Sequence, residues 1–105
     1  MSHYCVQYSP AAYEDLRAVY RYIAWELQAE APAQNQTARI RRAVRTLDSF
    51  PRRHPTLDWE PWMSMGVHKV PVDNYYVFYR VDEDRATVTI LRIFYVGRDI
   101  ENIIK

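Results

Sequence analysis

The chain is 105 residues long, the size of one domain. It is 49% hydrophobic, with three Trp, nine Tyr, three Phe and only two glycines, which excludes a disordered or low-complexity chain. A net charge of +1 taken alone says nothing about nucleic acid; residues 1–38 carry two arginines against four acids and residues 39–105 twelve basic residues against nine acids, a mild asymmetry and not a strong basic footprint.

In chain order, His3 to Tyr8 is a short aromatic and β-branched run, read as a strand. Cys5, the single cysteine, lies within it as a small buried hydrophobe, and a reducing, cytoplasmic setting is expected. No signal peptide and no apolar run of membrane-spanning length is read. Ser9-Pro10 supplies an N-cap and a first-turn proline for a helix predicted over 10–30, with an apolar stripe of Leu16, Val19, Tyr20, Ile23 and Leu27. Trp25 falls about opposite that stripe at 100° per residue, which marks it for an interface. Pro32 is expected to stop this helix. A second follows over about 34–49, with stripe Ile40, Ala43, Val44 and Leu47 and a basic face of Arg41, Arg42 and Arg45. That face is either solvated or a phosphate-contacting surface.

Residues 50–65 hold three prolines and no period, and are expected to form an ordered loop anchored by Phe50, Trp59 and Trp62. Strands are predicted over 66–72, with Pro71 at an edge or an end, then 75–81 and 86–96, with turns at Asp73-Asn74 and 82–84. The tail 98–104 reads as a short helix or a final extension. The expected fold is therefore α+β with βααβββ order: a helical hairpin on one face of a mainly antiparallel four-stranded sheet, in one domain over 1–105.

Two arginines sit inside the best strands, and side-chain parity says where they point. Tyr75, Val77, Tyr79 and Val81 form an uncharged face, as do Thr89, Leu91, Ile93 and Tyr95. With both uncharged faces placed under the helices, Arg80 and Arg92 share the opposite face with Tyr76, Phe78, Val88, Ile90 and Phe94. In the preceding strand Lys69 has the parity of Val67 and Pro71, and His68 that of Val70. The second face is then aromatic, apolar and cationic at once. It is either a docking surface or a face covered by the loop 50–65 or the tail, with the arginines paired to Asp58, Glu60 or Asp99.

His54 and His68 have the chemistry of general acid–base groups, and equally that of a surface and a packed histidine. Three histidines and one cysteine without ligand spacing give no metal site, and Gly66 and Gly97 form no phosphate-binding loop. No cofactor is expected.

With these pieces in order, the chain resembles the RelE/ParE superfamily, toxins of bacterial type II toxin–antitoxin systems. YSPAAYEDLRAVYRYIAWEL is similar to the family's first strand and helix, ARIRRAVRTLDSFPRRHP to its second helix and exit, and NYYVFYRVDEDRATVTILRIFYVGRDI to its central hairpin and terminal R-D signature. The resemblance implies a growth-inhibiting toxin held inactive by a cognate antitoxin, whose C-terminal segment lies in hydrophobic grooves. It implies one of two targets, DNA gyrase or mRNA on the ribosome, with no membrane partner; a homodimer and a toxin–antitoxin hetero-oligomer are both open. For the ribonuclease branch, Lys69 matches a lysine of the second strand and Arg98 the arginine after the last strand. Tyr76 stands where those enzymes commonly have an arginine, and Ile104 about where they have a C-terminal tyrosine. The gyrase-poisoning, ParE-like reading is therefore preferred. It takes Lys69, Tyr76, Arg80, Arg92, Phe94, Arg98 and Trp25 as the target- or antitoxin-binding residues. In the nuclease alternative Lys69 and Arg98 stabilise the phosphate, with Tyr76 or Tyr95 supplying the missing groups. The third reading is a degenerate toxin acting only as a binding module.

Overall fold

A computed structural model of the chain describes residues 3–97. The predicted tail over 98–104 lies outside them. Strand β1 (Cys5–Tyr8) leads into helix α1 (Pro10–Arg21). Ser9 is the N-cap: its Oγ accepts from the Ala12 N–H at 3.0 Å, an interaction worth about 1 kcal/mol. Helix α2 (Glu30–Arg45) follows, then a short helix α3 (Trp62–Met65) and strands β2 (His68–Val72), β3 (Tyr75–Asp82) and β4 (Thr87–Tyr95). The sheet order is β1-β4-β3-β2, with β1 parallel to β4 and the other pairs antiparallel. This is the α+β arrangement expected, with Pro71 on the edge strand β2. Among the described residues no helix is long and apolar enough to cross a membrane.

The helical hairpin departs from expectation in two places. After Arg21 the chain passes through a π-helical turn (Tyr22–Glu26) and breaks at Gln28, whose φ is +51°. Leu27, expected in the core, is 56% exposed as a result. Pro32 does not stop the first helix. It lies in the first turn of α2, where no intrahelical N–H is needed and its fixed φ suits the helix.

The main core lies between hairpin and sheet: Ala12, Leu16 and Val19 from α1, Ile40 and Val44 from α2, and Val70, Val77, Tyr79, Val88, Ile90 and Ile93 from the sheet. Val88 and Ile90 contradict the parity reading, which put them on the far face. The cause is a β-bulge. Phe78 pairs with Arg92 but Tyr79 pairs with Ile90, so Leu91 is the extra residue of β4. One inserted residue reverses the facing of everything N-terminal to it. Leu91 moves to the second face, where it packs beside Phe78 and Phe94.

The segment 50–65 holds two short helical turns (Pro51–Arg53 and α3), and it covers the sheet's second face. Leu57, Val67, Phe78 and Phe94 form a second core there, closed by Trp59, Trp62, Tyr76 and Leu91. Trp59 and Trp62 act as anchors, as expected. Phe50 does not: it is 69% exposed, in a left-handed conformation with φ +48°. Cys5, expected to be buried, is exposed on the edge strand β1.

Candidate functional site

Three surfaces carry the residues that the sequence singled out. On the second sheet face, β2 and β3 bring Lys69 and Tyr76 together, with Lys69 Nζ 4.6 Å from the centre of the Tyr76 ring. That ring in turn meets Phe78 edge-on at 6.2 Å. The outer edge of β2 is occupied by the covering loop, because the Lys69 N–H donates to the Pro55 carbonyl at 2.9 Å. Arg80 is exposed, and its Nε donates to the Met65 carbonyl at 3.1 Å. Phe94 is only 1% exposed and serves the second core, so its role there is packing. Arg98 lies outside the described residues.

Arg92 is held differently from either sequence reading. Its Nε and Nη2 donate to the two carboxylate oxygens of Asp15 at 2.8 and 3.0 Å, while its guanidinium rests 4.4 Å from the Phe94 ring centre. The same carboxylate accepts from the Ile93 N–H at 2.9 Å. The Asp15 hydrogen bond, more than the opposing burial, raises the Arg92 pKa above its already high ordinary value. Arg92 and Arg80 thus have partners other than Asp58 or Glu60, and Asp99 lies outside the described residues.

The second surface is an apolar groove of about 720 Å³ between the end of α1, the π turn and β4. It exists because β1 is short. β1 pairs with β4 only at residues 87–90, and beyond that point Ser9 and Asp15 take individual main-chain groups of β4. The Val96 N–H donates to the Asn74 carbonyl, so by ladder alternation the main-chain groups of Ile93 and Tyr95 turn toward the open edge. Val19, Tyr22, Ile23, Leu27, Tyr75 and Tyr95 line this groove. Tyr75 and Tyr95 meet edge-to-face at 5.8 Å. Burial is the main cause that raises the Tyr75 pKa above its ordinary value, with Tyr95 and Tyr22 adding to it. Tyr95 therefore stands on the helix side of the sheet, across from Lys69 and Tyr76, and is not placed to replace a catalytic group beside them. Sequence reasoning missed this groove. Its signal was the contrast between a four-residue β1 and a nine-residue β4, which leaves half of β4 as an edge.

The third surface is the outer side of the helical hairpin. Trp25 is 71% exposed, and Arg41, Arg42 and Arg45 are exposed as well. The histidines sit apart from all three surfaces. His68 is buried and stacks on Tyr79 at 5.0 Å, and its Nδ1 lies 2.7 Å from the His54 carbonyl, so that nitrogen is the donor. Burial, followed by Arg53 and His68, lowers the His54 pKa below its ordinary value. Burial pushes Tyr79 up to about 12, and its hydroxyl donates to the Pro51 carbonyl at 2.6 Å. These groups support packing of the 50–54 turn. Among the described residues no three His, Cys, Asp or Glu side chains converge as a metal set.

Comparison with known proteins agrees with this architecture. Residues 6–100 match the family described as the ParE toxin of the type II toxin–antitoxin system parDE. The chain is similar in structure to a chain of the chromosomal ParDE system from P. aeruginosa (TM-score 0.74, 21% identity, covering 90% of this chain and 98% of that one). It is similar to a chain of the RelBE2 toxin–antitoxin complex from Mycobacterium tuberculosis (TM-score 0.66, 25% identity, 90% and 93% covered). It is also similar to a chain of the archaeal RelE–RelB complex from Pyrococcus horikoshii (TM-score 0.63, 16% identity, 91% and 98% covered). At 21% and 16% identity the first and third likenesses speak for the fold alone. No curated protein matches the sequence significantly.

Proposed function

From the premise that the chain belongs to the ParE toxin family of type II toxin–antitoxin systems, we propose that it arrests growth by a ParE-like action on DNA gyrase. A cognate antitoxin neutralises it by laying an apolar segment in the groove beside β4. The whole chain acts as one toxin domain, with Lys69, Tyr76, Arg80 and Arg98 as its target-contacting residues.

The observation that carries the preference for gyrase is the Lys69–Tyr76 pair. Cleaving RNA by 2′-hydroxyl attack needs a positioned base, cations for the developing phosphorane charge and an acid for the leaving group. Here an aromatic ring stands where a second cation would serve that chemistry, and it holds the Lys69 ammonium. Arg92 is engaged by Asp15 and is not available to a phosphate. The groove supports the antitoxin assignment, since Tyr22, Leu27 and Tyr95 form an exposed apolar lining beside a stretch of β4 that, among the described residues, no strand pairs on that side.

Inducing this chain alone in a bacterial culture, with mRNA ends and chromosomal breaks mapped in the same samples, tests the reading. Arrest with intact mRNA and new DNA breaks is the expected result. Arrest with new mRNA ends at codon positions would establish the ribosome-dependent, metal-independent interferase instead, and no arrest would leave a binding module.

A further inference from the structure

The outer side of the helical hairpin carries a cleft that the toxin reading does not use. Tyr13, Arg17, Arg21 and Trp25 follow one another at intervals of four along α1 and the π turn, so they form one row of neighbouring side chains. At 1.5 Å per residue the row is roughly 18 Å long. The extra residue of the π turn winds the chain back, which keeps Trp25 over a row that an unbroken α-helix would carry past it. Tyr20 and Arg41 complete a cleft of about 270 Å³. Among the described residues no carboxylate lines it. Its rings are open to solvent, Tyr13 at 56% and Trp25 at 71%.

Two observations point to the occupant. The cations are free to change partners. Among the described residues Arg17 and Arg21 reach Glu14 alone, at 3.5 and 3.9 Å, through exposed contacts of the kind that contribute little. Arg41 and Arg45 stand near enough to the Tyr8 hydroxyl to favour its ionised form against the dominant effect of burial, so positive charge continues past the cleft along α2. The rings also flank those cations, with Tyr13 at one end of the row and Trp25 at the other. An acidic peptide would use the guanidinium groups and leave the flat ring faces idle. A single nucleic-acid strand uses both, with bases stacked on Tyr and Trp and phosphates bridged by Arg.

We propose that the Tyr13–Arg17–Arg21–Trp25 row, with Tyr20 and Arg41, binds single-stranded nucleic acid through base stacking and phosphate contacts without sequence readout. This surface lies on the outer side of the helices, shares no lining residue with the groove assigned above, and binds without using the sheet face.

The test is fluorescence anisotropy of the purified chain with a labelled single strand of about 12 nucleotides, within the usual site size of single-strand binders. Binding is measured from low to physiological salt. Trp25→Ala is expected to weaken binding by about 10-fold, as loss of one stacked base does. Arg17→Gln and Arg41→Gln should each reduce the slope of log affinity against log salt by about 0.7. Arg85→Gln, which removes an exposed charge in the distant β3–β4 turn, should leave affinity within about twofold. All four side chains are exposed, and circular dichroism confirms the fold of each variant. Absence of binding at low salt, or a Trp25→Ala variant that binds as the parent does, would overturn the proposal. Displacement of the strand by an equal concentration of a glutamate-rich peptide would also overturn it and assign the cleft to an acidic protein segment. Growth arrest is scored separately, so arrest without strand binding removes this inference and leaves the toxin reading standing.

Discussion

Asp15 and Arg92, 77 residues apart in sequence, form a two-pronged ion pair at the point where β4 loses its neighbouring strand. The pair occupies the strand edge at Ile93, where β1 does not continue. One carboxylate oxygen also receives the Ile93 N–H that a longer β1 would have bonded. Asp15 is therefore the residue on which the docking of α1 to the sheet edge turns.

Replacing Asp15 with Ala should lower stability by about 1.5–3 kcal/mol, the range for hydrogen bonds to charged groups, because it strands a half-buried guanidinium and a strand N–H together. Arg92→Met should cost less, since Asp15 keeps the Ile93 N–H and the Met side chain still covers Phe94. Urea midpoints of the two variants check this. An Asp15→Ala midpoint equal to that of the parent would show that the pair contributes nothing.

The lowered pKa of His54 gives stability a pH dependence of known sign. Its folded form binds a proton less readily than the unfolded chain, whose histidine titrates near 6.5. The contribution is fully present above that pH and is lost as pH falls through the folded-state pKa. Asp73 and Glu83 are also lowered, by hydrogen bonds from Arg39 and Arg52 first of all, but carboxylates act in a more acidic window. Thermal midpoints should therefore drop between pH 7 and pH 5.5, and His54→Gln should flatten that interval. A slope that survives the substitution would place its origin elsewhere.

In the groove, Leu27→Glu should leave stability within about 0.5 kcal/mol, because the side chain is largely exposed. Antitoxin affinity should nevertheless fall at least about 10-fold, since docking would bury an unpaired carboxylate. Calorimetric titration with the cognate antitoxin, alongside thermal melts, measures both quantities. Unchanged affinity would move the antitoxin to another surface.

Element order, the helical hairpin, the Ser9 cap and the edge position of β2 were all legible in the sequence, because each follows from a local pattern: a period, a cap or a proline. The second sheet face was harder. Its mixed aromatic and cationic character was readable, but not which residues remained open on it. Phe94 and Arg92 belong to the same alternating strand pattern as Arg80. Only the placement of Leu57, Trp59 and Trp62, and of Asp15, distinguishes the packed and paired residues from the exposed one.

The sequence by itself determined which segments are helical or extended and which family they resemble, since backbone preference and side-chain periodicity act over a few neighbouring residues. The tertiary structure alone decided the bulge at Leu91, the Asp15–Arg92 clamp and the groove left by a short β1. Each depends on how segments distant in the chain are registered against one another. A single extra residue opposite Phe78 and Tyr79 exchanges the two faces of half a strand while leaving its local pattern intact.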